Sequence, residues 1–217
     1  MPTQIGELGV TFPDATLQTT AAVPGTPGLG LPVMVVFTIN NTFIVPATIT
    51  RVRVTVVGGG GGSSAYNAMS SYSGAAGGTA IKTITGLTPG ASINIIVGAG
   101  GTAGLADFGS GGTGGTSSFG SYCSATGGEG GVLYTFHFPI GGIGVNGDLN
   151  IRGNAGTFSQ NGLGANGGAS YLGGGGYGSV GTASVGGQYG GGAGSASDQD
   201  GYGNGAAGGS GVVIVEY

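Results

Sequence analysis

The chain has 217 residues, of which 57 are glycine, and only 6% are charged. Its 4 basic residues are too few to track a phosphate backbone, which argues against nucleic-acid binding, and its single cysteine excludes an internal disulfide. A hydrophobic content of 39% with so little charge is the opposite of a typical disordered composition, so the chain is predicted to fold despite its glycine.

Residues 1–32 differ in composition from the rest. The stretch up to Ala22 is polar and extended, and VPGTPGLGLP is typical of a linker. We therefore predict an N-terminal attachment segment with a Pro/Gly linker over residues 1–32 and a glycine-rich β domain over residues 33–217. The longest apolar run, Leu31–Ile39, is far shorter than the roughly 20 residues of a membrane helix, so no membrane insertion is expected.

Four runs rich in β-branched residues are predicted to pair along the chain as two hairpins. Asn40 and Asn41 suit the turn of the first hairpin, and GLTPG supplies turn residues for the second. The predicted strands are Val33–Ile39 with Thr42–Val45, and Thr79–Thr85 with Ser92–Val97.

The stretch Arg51–Gly62 joins a strand directly to a glycine run. Its first half alternates and places Val52, Val54 and Val56 on one face, which predicts a strand with one buried side. Val212–Val215 is the predicted closing strand. Since no window shows helical periodicity, the predicted fold class is all-β: a small antiparallel β-sandwich of short strands with no long helices.

The glycine-rich region between the strands contains broken GGX triplets, such as GGTGGT and GGEGG. A polyproline-II-type helix has three residues per turn, so GGX leaves two of its three edges without side chains. Such segments can pack side by side and exchange N–H···O=C bonds, which satisfies their backbone polar groups. We predict a polyglycine-II-like bundle; the alternative is a set of Ω-loops on a β scaffold.

Two groups of motifs carry a family resemblance. VTFPDATLQTTAA resembles a segment common in bacteriophage tail-fibre and tail-collar proteins, with Ala15 where glycine is usual. The blocks FTINNTFIVPATITRVRVTVVGGGGG, AIKTITGLTPGASINIIVGAGG, SSFGSYCSATGG, GVNGDLNIRGNAG and GAAGGSGVVIVEY resemble, in wording and order, the glycine-rich receptor-binding tip domain of phage tail fibres.

The resemblance implies a virion tail-fibre tip that recognises a bacterial surface receptor, either polysaccharide or outer-membrane protein. It also implies a homotrimer whose residues 1–32 attach to another tail or baseplate protein. Binding without catalysis is expected, with no cofactor. The virion would be its location, outside the cell when it acts.

The candidate receptor-binding residues are bulky side chains that interrupt glycine blocks. Tyrosine among serine, glycine and asparagine is the composition of adaptable binding loops. The alternative is that the rings fill gaps between polyglycine segments, and both readings stay open. The candidates are Tyr66, Asn67, Met69, Tyr72, Tyr134, His137, Tyr171, Tyr177 and Tyr189.

Two other functions compete with host recognition. A structural glycine-rich protein, of the matrix or ice-binding polyglycine type, would bind no bacterial receptor. A polysaccharide depolymerase would need paired carboxylates on a groove, and the 8 scattered acidic residues offer no such pair. With one histidine and one cysteine, no metal site is predicted.

Overall fold

The computed structural model describes residues 4–6, 9–11, 17–18, 33–65, 70–105, 109–133, 137–160, 163–197 and 203–217. The chain divides into two compact units, Met1–Val33 and Met34–Tyr217. The described residues of the first unit form three short antiparallel strands in the order β1-β2-β3, which are β1 (Gln4–Gly6), β2 (Gly9–Thr11) and β3 (Leu17–Gln18).

The second unit begins with a sandwich of two five-stranded antiparallel sheets. One sheet has the order β13-β8-β6-β17-β4 and the other β12-β11-β10-β9-β5. The strands of the first sheet are β4 (Met34–Phe37), β6 (Arg51–Val57), β8 (Thr79–Thr85), β13 (Leu149–Ile151) and β17 (Val212–Glu216). Those of the second are β5 (Asn41–Ile44), β9 (Ser92–Ile96), β10 (Ser117–Phe119), β11 (Cys123–Ala125) and β12 (Gly144–Val145).

The sandwich core confirms the alternation read from the sequence. Val52, Val54 and Val56 are buried, as predicted, and pack with Ile95 and Phe119 from the other sheet. Each large apolar side chain buried in this way contributes roughly 1.5–3 kcal/mol relative to leaving it exposed. The sandwich is therefore the main source of hydrophobic stabilisation in this unit.

The two predicted hairpins are wrong. In the first, β4 pairs with β17, whereas β5 pairs with β9 in the opposite sheet. In the second, β8 pairs with β6 and β13, whereas β9 pairs with β5 and β10. The β4–β5 and β8–β9 connections both cross from one sheet to the other, because the strands on either side of each connection contribute to the core. Phe37 meets Phe43 edge-on at 6.4 Å, and Leu87, in the second connection, is itself buried.

Beyond the sandwich, the glycine-rich segments form a bundle held by backbone hydrogen bonds. Residues 58–65 lie at its centre, and their N–H groups donate in turn to three neighbouring segments. One neighbour accepts from Gly59, Gly62 and Ala65, a second from Gly60 and Ser63, and a third from Gly58, Gly61 and Ser64, at N···O distances of 2.8–3.0 Å. This three-residue period is that of a polyproline-II-type helix.

Three segments form the interior of the bundle, and we call them the core segments: 58–65, 73–78 and 190–197. They are bonded to one another and are buried throughout. In the described ranges, nine outer segments surround them, each bonded to the next in a closed ring: 98–104, 109–116, 126–133, 139–143, 152–157, 164–170, 173–178, 184–187 and 203–211. Each core segment thus has six neighbours, which is hexagonal packing.

Four short strands complete the unit as two ribbons. β7 (Ser70–Tyr72) pairs with β14 (Phe158–Gln160) antiparallel, and β15 (Ser179–Val180) pairs with β16 (Ala196–Ser197) parallel. The described residues contain no helix. The predicted all-β class with a polyglycine-II-like bundle is confirmed, and in the described ranges the bundle replaces the alternative of Ω-loops.

Candidate binding surfaces

The bundle has two different ends. Core segment 58–65 leaves the sandwich from β6, and core segment 73–78 returns to it at β8. We call the opposite end, where 58–65 finishes and 73–78 begins, the far end. Large apolar side chains are exposed at this end. They come from separate outer segments or from the turns beside them: Leu105, Phe138, Leu163 and Val180.

Sequence reasoning missed these four apolar residues. A signal was present, because Leu105 follows the glycine-rich stretch 98–104 and Leu163 precedes the stretch 164–168. Large apolar side chains at the junctions of glycine blocks mark segment ends. They are more informative there than tyrosine content, which does not distinguish buried from exposed rings.

Five of the predicted site residues cannot be placed on the exposed surface, because four are not described and one is buried. Tyr66, Asn67, Met69 and Tyr134 lie outside the described residues. Tyr72 is only 4% exposed, and its ring centre lies 4.8 Å from that of Phe158, so it fills a gap inside the unit and is not available at the surface.

His137 is exposed near the far end and is paired with a carboxylate. Its Nε2 atom lies 2.8 Å from Oε2 of Glu129, which also accepts the N–H of Ile140 at 2.9 Å. The hydrogen bond from His137, followed by that from Ile140, lowers the pKa of Glu129. The carboxylate therefore ties outer segment 126–133 to the start of its neighbour, 139–143.

The pH dependence of this tie is predictable. Because the pKa of Glu129 is lowered on folding, its stabilising contribution is present above the ordinary glutamate pKa of about 4.3 and is lost as the pH falls through the lower folded value. Glu129→Gln should lower the melting temperature by about 1–3 °C at pH 7, a small effect because the pair is half-exposed. In thermal scans the difference from wild type should shrink as the pH falls below that ordinary value; a gap that stays constant with pH would contradict this.

The remaining predicted tyrosines lie on one side of the bundle. Tyr171 is in the turn that joins 164–170 to 173–178, Tyr177 is on 173–178, and Tyr189 is in the turn before core segment 190–197. The two turns are in contact, because the Ser170 hydroxyl donates to the carbonyl oxygen of Tyr189 at 2.6 Å. We call this side, formed by segments 164–170, 173–178 and 184–187 with their turns, the tyrosine face.

Outward side chains on the tyrosine face follow the three-residue period. Tyr177 and Val180 are exposed on one segment, and Val185 and Gln188 are exposed along the next. The segments run antiparallel, and Gly187 donates its N–H to the carbonyl oxygen of Gly174 at 2.9 Å. Tyr171 and Tyr177 are 54% and 70% exposed, whereas Tyr189 is half-buried.

Other features of the described residues give little chemistry. A polar cleft of about 270 Å³ opens in the sandwich beside Leu87, Asn94 and Tyr122. No group of three or more potential metal-ligating side chains occurs in the described ranges. No helix among those residues is long and apolar enough to cross a membrane. Burial raises the pKa of the Cys123 thiol to about 11, which makes it an unreactive core residue.

Comparison with known proteins identifies a family. The model of a family described as a glycine-rich domain matches residues 37–217, which span the sandwich and the whole bundle. No curated protein shows significant similarity to the chain.

Proposed function

The chain belongs to the glycine-rich domain family, and we propose that it is the tip of a bacteriophage tail fibre: a non-catalytic adhesin that binds a receptor on the bacterial surface. The observation that carries this proposal is the far end of the bundle. There, Leu105, Phe138 and Leu163 are exposed by 59–69% on a frame whose interior is hydrogen-bonded backbone. Together these side chains give the far end of this unit an apolar character, which suits contact with a partner.

The construction of the frame supports a binding function. Each core segment is held by bonds to six neighbours, so the backbone of the outer segments has a fixed position. A surface that is rigid before binding loses little conformational entropy on association, which favours affinity. The motif resemblance to tail-fibre tips supports the same assignment.

The proposal includes attachment and copy number. Residues 1–32 would join the tip to another tail or baseplate protein, and three copies would assemble into a homotrimer in the virion. Several copies on one particle turn a weak contact into firm adsorption. Light scattering on a sizing column should give three times 20.4 kDa for the purified chain.

Binding to bacteria tests the proposal directly. The full chain, labelled at its N-terminus, should bind some members of a panel of bacterial strains. The double variant Phe138→Ser/Leu163→Ser should weaken binding about tenfold or more, because two exposed apolar contacts are lost. Leu149→Ser is the matched control, since Leu149 is also more than half exposed but lies in the sandwich.

Two results would contradict this assignment. One is the absence of labelling on every strain. The other is full binding by the double variant together with loss of binding by Leu149→Ser, which would place the contact surface at the sandwich.

A structural or ice-binding role has one specific observation in its favour. The outward edge of segment 109–116 carries Ser110, Thr113 and Thr116, all exposed, and the adjacent segment presents Ala99 and Thr102 at the same spacing. Three residues of such a helix rise about 9 Å, so small side chains form a regular array. Thermal hysteresis in freezing solutions, without labelling of bacteria, would favour this function.

A further inference from the structure

Gly174 is a glycine that the packing of the bundle does not require. A Cβ atom added to the adjacent Gly173 or Gly175 would overlap the carbonyl oxygen of Gln188 or Gly167. At Gly174 an added Cβ meets nothing within 4 Å, and the residue does not have the positive φ that favours glycine. Neither close packing nor backbone conformation therefore explains the missing side chain.

The missing side chain leaves open space above the backbone of Gly174 on the tyrosine face. We call this recess the step. Tyr177 lies three residues further along the same edge, on the far-end side of the step. On the other side are the two turns that carry Tyr171 and Tyr189, held together by the hydrogen bond from Ser170. Gln188, on the neighbouring edge, is exposed beside Gly174, whose carbonyl oxygen is bonded to Gly187.

The walls of the step are fixed. Ser170 donates its N–H to the carbonyl oxygen of Gly173 at 2.8 Å, which closes the turn that carries Tyr171. Tyr189 has a φ of 69°, a left-handed conformation that a non-glycine residue adopts at a cost of about 1–2 kcal/mol. Strain of this kind persists where the surrounding structure enforces it and is frequent at binding sites.

The chemistry around the step is uncharged. No acidic, basic or histidine residue occurs between Arg152 and Asp198, the part of the chain that forms this face. The segments that form this face therefore offer no charged side chain of their own to an ionic ligand. The groups present are tyrosine rings and neutral hydrogen-bonding side chains such as Gln188 and Thr182, both exposed.

We propose that the tyrosine face binds a neutral polysaccharide, with one sugar ring seated on the backbone at Gly174 against the ring of Tyr177. The C–H face of a sugar packs on an aromatic ring, while its hydroxyl groups bond to amide, hydroxyl and backbone groups. A side chain at position 174 would occupy the place of the sugar. This site lies on the side of the bundle and does not depend on the proposed binding at the far end.

Affinity electrophoresis of the full chain tests the site. At pH 8 the protein is anionic, since its isoelectric point is about 4.5, and it should migrate more slowly in native gels that contain dextran, mannan or galactomannan. Anionic alginate should cause no comparable retardation. Tyr177→Ala and Gly174→Leu should each raise the dissociation constant for the retarding polymer about tenfold or more.

The matched control is Thr113→Leu, which places the same side chain on an outward edge of a different outer segment. It should bind as wild type does, and thermal scans should show that Gly174→Leu is folded, because its new side chain enters open space. Retardation by none of the three neutral polymers would overturn the proposal, as would full binding by Gly174→Leu.

A different occupant would also be recognised. If Tyr177→Ala or Gly174→Leu reduces the native mass of the protein, the face is a contact between copies of the chain and the polysaccharide proposal is wrong. Polysaccharide retardation tests this site, whereas labelling of bacteria by the far-end variant tests the adhesin assignment. Failure of one proposal can therefore be distinguished from failure of the other.

Discussion

Replacing Gly61 by alanine is expected to destabilise the bundle by roughly 3 kcal/mol or more and to lower the melting temperature by about 6–12 °C. A Cβ atom at this position would overlap the carbonyl oxygen of Glu129. That oxygen belongs to a backbone that cannot rotate away, because the neighbouring segments are hydrogen-bonded to each other. Gly61 itself donates to Ala75 and accepts from Ala193, so moving it would break bonds to both other core segments. Differential scanning calorimetry measures the effect.

The matched control for Gly61→Ala is Gly174→Ala, because the same methyl group there enters open space. This variant should be neutral, or more stable by about 0.4–1 kcal/mol, since alanine restricts the unfolded chain more than glycine does. Equal losses at positions 61 and 174 would show that close packing is not the reason for the glycine content.

Six of the ten sandwich strands in the described ranges were predicted, namely β4, β5, β6, β8, β9 and β17, but their partners were not. The short strands β10 to β13 were missed, because they lie in the glycine-rich part of the chain and show no run of alternating apolar residues. The alternating valines of β6 and the closing strand β17 follow from side-chain periodicity, which is a local property. Which strand pairs with which depends on contacts between distant residues. The turn residues Asn40 and Asn41 fit a hairpin equally well, yet Asn40 accepts the N–H of Val97 with its side-chain oxygen, at the start of a connection between sheets.

The bundle was predictable in kind but not in arrangement. GGX triplets imply segments that can approach closely, but backbone hydrogen bonds carry no side-chain identity. The runs Gly58–Gly62 and Gly173–Gly176 look alike in the sequence, although the first is central and the second is on the surface. Only the complete set of neighbours decides which segment is surrounded.

The tyrosines show the same limit at the level of the site. Tyr72 and Tyr177 both stand among serine and glycine, so composition assigns them the same role. Tyr72 is buried because β7 pairs with β14 and brings Phe158 onto its ring, whereas Tyr177 is exposed among the described residues. The neighbours of a ring in the fold, which its neighbours in the sequence do not reveal, decide whether it fills space or lies exposed.

The sandwich and the bundle depend on each other, and Phe119→Ala should show it. Phe119 is fully buried, with its ring 5.8 Å from that of Phe43, and its removal should cost about 3–5 kcal/mol. The connected hydrophobic core lies entirely in the sandwich strands and their connections, while the bundle contributes mainly backbone hydrogen bonds. Each such bond adds only about 0.5–1.5 kcal/mol net, and ordering glycine opposes it.

The bundle should therefore unfold together with the sandwich, in one transition that moves about 6–20 °C lower in Phe119→Ala. Amide exchange measured by NMR should show that Gly60 and Gly61 lose the same protection free energy as the strands of the sandwich. Phe138→Ala, the same substitution at an exposed position, should leave both unchanged. If the core-segment amides of Phe119→Ala kept wild-type protection, the glycine-rich bundle would be stable by itself. Its hydrogen bonds would then contribute much more than about 0.5–1.5 kcal/mol each.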